Sequence, residues 1–461
     1  MIRTILRQGL SMPSGKIRKH LFAGKRFEVA VEEALEQTQR REKRKRSLPA
    51  HAMVLLVVAL SLFRNLSIPA AYRRLMGWGA RKKRLGAKAV TDEALIHARK
   101  RLGPEVLRCL FEKLAASIQV AATFRGLCVH AIDGVRLSLP DTKANEKRFG
   151  RWTASAGDRT AFPQALVVAL IACHTRLVRA LRIERAVEGE RDACASFLDL
   201  LGPKDIVLLD RGFHAVWLFQ KFLQKGVRFL CRASASYKPR VVLQLGRGDY
   251  LVHVKAWVPD ESGRQKKVTL LLRMIEYRVG KRQSVRLLTD LLSRRHYPAL
   301  AIAKLYRERW ESELAYDEIK THLATPPHGS VQLPVRSKNP NGVLQEIYGL
   351  FIAYNLIRDF ISAATENRNI APREISFVGA LEVIHFALFG HGGIPELTPM
   401  LQRLILQKRM KRTRRNRWYP RVIRIKHKHY PRKRSYNEEH RIDYEALLRL
   451  VDLVSDHRAA A

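Results

Sequence analysis

The sequence predicts a mixed α/β protein with helical segments at both ends, and three observations carry that reading. From residue 126 the pattern changes from helical spacing to short, β-branched, partly alternating runs: GLCVHAIDGVRLSLP, QALVVALIACH and RLVRALRIERAV. A helical stretch (190–201) then leads to DIVLLD (205–210), whose consecutive apolar residues read as a buried strand, and another helix follows from about 215. Strands, a helix, a buried strand and a second helix describe an α/β core. Residues 227–290 return to strand signals (VRFLCRAS, PRVVLQL, DYLVHVKAWV, KKVTLLLRMIEYRV, SVRLLTDL), with Gly280-Lys281 as a hairpin turn, and from 299 the chain is helical again.

Taken in chain order, residues 1–47 read as a polar arm ending in a basic run from Arg40 to Arg46. Residues 48–123 read as a helical DNA-binding domain. LPAHAMVLLVVALSLFRN is an apolar helix, SIPAAYRRLMGWG is a second one ended by glycine, and TDEALIHARKRLG is a third with Thr91 as N-cap. Gly103-Pro104 punctuates the entry to EVLRCLFEKLAASI. The core occupies 124–226 and 299–400, with the β segment 227–298 between its halves and a helical, basic region at 401–461. Within that last region, Arg403–Arg434 holds 15 Lys/Arg and no acidic residue, with Trp418, Tyr419 and Tyr430 interspersed, which suits an arm that tracks phosphates. Pro420 and Pro431 argue against one continuous helix there.

Across 461 residues, 85 Lys+Arg stand against 42 Asp+Glu, a formal charge of +43. Such a surplus costs self-repulsion and points to a polyanionic partner, nucleic acid first and an acidic membrane second. The longest apolar run, Ala52 to Phe63, falls well short of the ~20 residues of a spanning helix. The N-terminus lacks the apolar core of a signal peptide. Five scattered cysteines (Cys109, Cys128, Cys173, Cys194, Cys231), never in a CxxC pair, suit the buried thiols of a reducing cytoplasm. The expectation is a soluble cytoplasmic protein that meets DNA or RNA. His427-Lys428-His429 and Cys173-His174 lack a complete zinc ligand set, and no G-x4-GK[ST] phosphate loop is present.

Acidic positions carry the chemistry. Asp133 stands among apolar residues inside a predicted strand, where a lone carboxylate is expensive unless paired or metal-bound. Asp210 ends the DIVLLD strand before Arg211-Gly212, at the edge where α/β sheets bind ligands. In LYRERWESELAYDEIKTHL, a winding of about 100° per residue puts Tyr306, Arg309, Glu313 and Lys320 on one strip about 60° wide. Asp317 lies only about 40° from Glu313, so angle leaves both open as the third carboxylate. A solvated face stitched by Arg309–Glu313 pairing is the plain alternative. Trp310 is expected against the core, and Trp257 on a half-buried sheet face, with base stacking as its speculative role.

The spacing Tyr306-x2-Arg309-x3-Glu313-x6-Lys320 resembles the signature of DDE transposases of the insertion-element-4 family. AIDGVRLSLPDT is similar to that family's first-aspartate motif, and LLDRGF to its second. LGRGDYLV, LFIAYNLIR and TDEALIHARKRLG resemble further segments, so that the likeness spans roughly residues 40–430. The resemblance implies an RNase H-like core interrupted by an inserted β domain, with Asp133, Asp210 and Glu313 as the acidic triad. It also selects Glu313 over Asp317, and it implies two Mg²⁺ ions, with Mn²⁺ as a substitute. Tyr306, Arg309, Lys320 and Arg211 would contact double-stranded DNA at terminal inverted repeats, in a homodimeric synaptic complex. Cleaved ends would then be joined to target DNA in the cytoplasm of a bacterium. A catalytically silent repeat-binding regulator and an RNase H-like nuclease without strand transfer are the alternatives.

Overall fold

The computed structural model describes residues 25–410 apart from 43, 45, 65, 77–89, 154–158, 235–236, 260–263, 280–282, 325–333 and 390–396. Ten strands form one mixed sheet. They are β1 (Ala122–Phe124), β2 (Leu127–Ser138), β3 (Gln164–Ala172), β4 (Val178–Arg185), β5 (Asp205–Leu209), β6 (Arg228–Ala233), β7 (Arg240–Gly246), β8 (Asp249–Pro259), β9 (Gln265–Val279) and β10 (Gln283–Thr289). Their order is β4-β3-β2-β5-β6-β10-β9-β8-β7, with β1 on β2. Among the described strands, only β2–β5 and β5–β6 run parallel.

The segment expected as a β insert begins differently. Arg228–Ala233, placed in that insert by pattern, pairs in parallel with β5 and belongs to the core. β10 pairs antiparallel with β6, so β10, β9, β8 and β7 prolong the core sheet rather than forming a sheet of their own. The Gly280-Lys281 turn lies outside the described residues.

Burial explains why β3 shows no clean alternation. Ala165, Val167, Ala169 and Ile171 enter the large core shared with the helices, while Leu166, Val168 and Leu170 enter a second core on the other face. A strand covered on both sides reads as a continuous apolar run. β2 and β5 are held in register by a contact of 2.7 Å between buried His130 Nε2 and half-buried Asp205 Oδ1. Burial lowers the His130 pKa, so at neutral pH the ring is uncharged and the contact is a hydrogen bond.

The helices are α1 (Lys25–Gln37), α2 (Ala50–Leu62), α3 (Ile68–Met76), α4 (Asp92–Leu102), α5 (Glu105–Ala116), α6 (Lys143–Phe149), α7 (Glu190–Ser196), α8 (Val216–Gln224), α9 (Ala299–Leu305), α10 (Trp310–Asp317), α11 (Pro340–Thr365), α12 (Phe377–Phe389) and α13 (Leu397–Leu406). Thr91 caps α4 as expected, its hydroxyl accepting from Ala94 N–H at 3.2 Å. The arm reading of residues 1–47 missed α1. Phe27, Ala30, Val31, Ala34 and Leu35 recur at i, i+3, i+4, i+7 and i+8 and are buried. The dense charges between them hid the stripe. Helices α1 to α5 share one core with α11 and one sheet face, so the N-terminal helices are not packed as a separate body. Gly349 of α11 lets α2 approach closely: a Cβ there would lie 3.0 Å from the Val57 carbonyl. No described helix is long and apolar enough to cross a membrane. All five cysteines are free, four of them buried. The basic stretch beyond residue 410 lies outside the described residues.

The signature segment is wound three ways: a 3-10 turn (Tyr306–Arg309), then α10, then a π-turn (Glu318–Leu323). Its inner side is fastened by a buried charge network. Arg176 reaches Glu311 at 2.7 Å and Glu318 at 2.6 Å. Glu318 also accepts from the Tyr354 hydroxyl (3.0 Å) and from Arg358 Nε (3.0 Å), with a second bond from Arg358 Nη2. Burial opposes the charge on Arg176, but Glu318 and Glu311 outweigh it and raise its pKa. The LFIAYNLIR motif thereby gains a physical meaning: Tyr354 and Arg358 grip the signature helix, and Asn355 exchanges two bonds with the backbone of Val178 (2.9 and 2.8 Å). Glu318→Ala would leave the buried Arg358 guanidinium without its carboxylate and Arg176 with Glu311 alone, and should cost about 3–5 kcal/mol. Tyr354→Phe removes one hydroxyl and should cost about 1 kcal/mol. Urea melts of the two variants check this ordering.

Candidate active site

Two parallel strands bring the aspartates together. β2 and β5 pair from Cys128↔Asp205 to Ala131↔Leu208. Continuing that register by two residues sets Asp133 beside Asp210, although 77 positions separate them in sequence. Parallel neighbours stand about 4.8 Å apart. Asp210 follows the last residue of β5 and caps the turn Arg211–Phe213, its Oδ1 accepting from Gly212 N–H at 2.7 Å. The thiol of buried Cys231 donates to the Asp210 carbonyl at 3.4 Å. A short polar side chain closing the turn and a glycine after Arg211 account locally for the D-R-G sequence.

The signature segment lies over the face from which Asp133 projects. Val129 and Ala131 of β2 pack there with Ile302, Leu305 and Tyr306. Ser312 Oγ donates to Asp133 Oδ2 at 3.1 Å, Gly134 N–H to Oδ1 at 2.9 Å, and the Tyr316 hydroxyl to the Asp133 carbonyl at 2.6 Å. Arg309 joins the groups: its Nη1 stands 3.7 Å from Asp133 Oδ2 and its Nη2 pairs with Glu313 Oε1. Asp133, in the middle of β2, therefore stands with Arg309 and Glu313, and Asp210 lies beside it just past the end of β5.

Burial pushes the Asp133 carboxyl up to about 6, with Asp210 adding to the rise, while Arg309, Gly134 and Ser312 work against it. Burial opposes the charge on Arg309, but Tyr306, Glu313 and Asp133 raise its pKa, so the guanidinium stays charged at the centre of the cluster.

The remaining expected residues fall as follows. A 3-10 winding eclipses residues three apart, so Tyr306 and Arg309 turn together toward the strand ends. Tyr306 is buried, its hydroxyl donating to the Leu209 carbonyl at 3.3 Å, instead of lying open to a backbone phosphate. Lys320 sits in the π-turn and is exposed, as is Arg211. Asp317, the rival carboxylate, accepts from Thr321 Oγ1 at 2.9 Å and stands 3.8 Å from His322. Trp310 does not pack inward; it is 48% exposed and its ring lies beneath the Arg309 guanidinium. Trp257, expected half-buried, is 66% exposed near the end of β8.

Sequence reading missed Ser312, the residue before Glu313, whose only signal is that adjacency. Hard oxygen donors at Asp133, Asp210 and Glu313 fit a divalent cation such as Mg²⁺ in kind. Among the described residues, however, no group of three or more His, Cys, Asp or Glu side chains stands close enough to hold an ion together. Arg309 lies between Asp133 and Glu313 instead.

With its folded pKa near 6 against an ordinary 3.8, Asp133 binds a proton more readily in the folded chain. Its stability cost is therefore absent below the lower value, grows as pH rises, and is complete above the higher one. Asp133→Asn should stabilise the metal-free protein at neutral pH by on the order of 2 kcal/mol. The gain should vanish in acid, which urea melts across a pH series measure.

Two family models match this chain. The family model described as insertion element 4 transposase N-terminal matches residues 26–112, and the one described as transposase DDE domain matches 125–356. The transposase InsG for insertion sequence element IS4 of Escherichia coli (strain K12) is 30% identical over 84% of this chain and 88% of its own. A probable transposase for insertion sequence element IS5377 of Geobacillus stearothermophilus is 23% identical over 39% of this chain and 45% of its own. A solved piggyBac transposase synaptic complex with hairpin DNA aligns with a TM-score of 0.43 at 9% identity, covering 89% of this chain and 87% of that one. That last likeness is too loose to carry an argument. Matches at both ends of the signature architecture and across most of a relative's length place the chain in the insertion-element-4 family of DDE transposases, enzymes that cleave nucleic acid.

Proposed function

We propose that the protein binds the terminal inverted repeats of its own element as a homodimer, cleaves at the element ends and joins the freed 3′-hydroxyls to target DNA. The observation that supports this most is that Arg309 reaches both Asp133 and Glu313 while the β2–β5 register sets Asp210 beside Asp133. On this reading the core is RNase H-like, β7 to β10 correspond to an inserted β region, and the basic residues after 401 form a phosphate-tracking arm.

Asp133, Asp210 and Glu313 would hold two Mg²⁺ ions, or Mn²⁺ in their place. When bound, such a pair lowers the pKa of the attacking hydroxyl or water and stabilises the leaving oxygen. The chain's own residues do the rest. Ser312 and Gly134 N–H orient the Asp133 carboxylate. Tyr306, buried against Leu209, supports the turn that carries Asp210 and acts on DNA only through Arg309. Arg309 neutralises Asp133 and Glu313 in the free protein. A phosphate entering the site offers its guanidinium a bidentate partner, releasing both carboxylates for the cations. Exposed Lys320 and Arg211 would hold backbone phosphates on either side as point charge and fork.

Replacing Asp133 or Asp210 by Asn, or Glu313 by Gln, should abolish divalent-dependent cleavage of a labelled terminal-repeat duplex while mobility shifts of that duplex persist. Joined product with a supercoiled target supports the proposal. Cleaved ends alone would indicate a nuclease, and a shift without cleavage a repeat-binding regulator. Loss of cleavage in Asp317→Asn with retention in Glu313→Gln would move the third carboxylate to Asp317. Lys320→Ala should reduce the salt slope of duplex binding by about one unit; an unchanged slope removes Lys320 from phosphate contact.

A further inference from the structure

The LGRGDYLV motif plays no part at the acidic site, yet a second basic feature is built on it. Gly246 to Asp249 make the turn between β7 and β8. Gly248 takes a φ of +70°, and a Cβ there would stand 2.3 Å from the Glu276 carbonyl, so the turn calls for glycine. Gly246 leaves room for the Arg294 guanidinium, which a Cβ would meet at 3.1 Å and which donates to the Leu245 carbonyl. Asp249 is buried and accepts from Arg273 Nε and Nη2, each at 2.7 Å. Arg273 Nη1 donates in turn to the carbonyls of Leu291 (3.2 Å) and Tyr297 (2.7 Å). Glycines and aspartate thus lock the turn onto residues 291–298, the segment that leads into α9.

Between the turn and that segment lies a cleft of about 680 Å³, lined by Arg247, Arg294, Arg295, Asp249 and the start of α9. The three lining arginines are exposed, and among the described residues no carboxylate forms an ion pair with any of them. Asp249 brings no free charge, because Arg273 holds both of its oxygens. Guanidinium groups around one cleft repel one another, and an anion seated between them removes that repulsion. The planar fork of arginine matches the free oxygens of a phosphodiester.

Position selects the polyanion. α9 joins the cleft to Tyr306, whose hydroxyl meets the Leu209 carbonyl beside Asp210. Its 7 residues span about 10 Å, which is the rise of about three base pairs.

We infer that this cleft is a second phosphate-binding site, which grips the backbone of the same DNA duplex about three base pairs from the aspartates. Arg247 and Arg295 supply the grip, and Arg294 is braced on the Leu245 carbonyl beside them. The buried Arg273–Asp249 pair fixes the cleft before DNA arrives, so binding orders only exposed side chains. The inference rests on the proposed binding of duplex DNA, not on the proposed cleavage.

The test compares the full-length wild type with Arg247→Ala/Arg295→Ala, two exposed positions whose replacement should leave the melting temperature unchanged. Binding of a labelled terminal-repeat duplex is followed across a salt series in buffer free of divalent ions. The double variant should lower the salt slope by about two units, and phosphate-ethylation interference should lose one or two adjacent positions. An unchanged slope, or interference lost evenly along the duplex, overturns the inference. So does a variant that loses binding to polyglutamate while its duplex slope stays the same, which would assign the cleft to an acidic protein segment. A lowered slope in the variant, beside a wild type that cleaves nothing when Mg²⁺ is added, leaves the cleft standing and removes the proposed cleavage instead.

Discussion

The parallel register of β2 and β5 is the constraint on which the site depends. Side chains alternate across a strand, so a slip of one residue would send Asp133 to the opposite face, away from Arg309 and Ser312. The contact between His130 and Asp205 pins that register three residues before Asp133, and Gly202 N–H at 2.9 Å fixes the second oxygen of Asp205. Neither residue belongs to the chemistry. The burial of His130 makes a misaligned pairing costly, because its ring would lose its partner inside the protein.

A second constraint acts on the helix that brings Glu313. Negative side chains drawn toward two aspartates repel them, and something must hold the helix in place against that repulsion. Arg176, Arg358 and Tyr354 do so from within, by binding Glu311 and Glu318 on the helix's inner side. Arg64, from the loop after α2, donates to the Ala324 carbonyl at 2.8 Å and closes the end of the π-turn. The N-terminal helices therefore take part in placing the signature helix, through a core shared with α11. A π-turn widens the helix locally and is frequent at functional sites; here it presents Lys320 outward directly after the clamped Glu318.

Legibility differed by residue for physical reasons. Asp133 and Asp210 were visible because a lone acid beside an apolar run is conspicuous. Thr91 was visible because capping is a local event. Helix α1 escaped because charges crowd its apolar stripe, and β6 was assigned to the wrong side of a boundary because pattern does not tell a parallel from an antiparallel neighbour. The four residues of the signature strip do cluster, yet the constant winding assumed for them was wrong. Tyr306 turned inward through the 3-10 turn, while Trp310 and Trp257 proved exposed where packing was expected.

By itself the sequence determined the local parts of the candidate site: a lone acid inside or beside an apolar run, and the short spacing that sets Arg309 one turn from Glu313. Those follow from local rules, since helix winding and strand termination depend on near neighbours. Only the tertiary structure decided what lies across the sheet. The meeting of Asp133 with Asp210 and the grip of Arg358 and Tyr354 on Glu318 both join residues distant in the chain. Such meetings are set by strand register and by how two faces of one sheet are covered, and no local pattern records either.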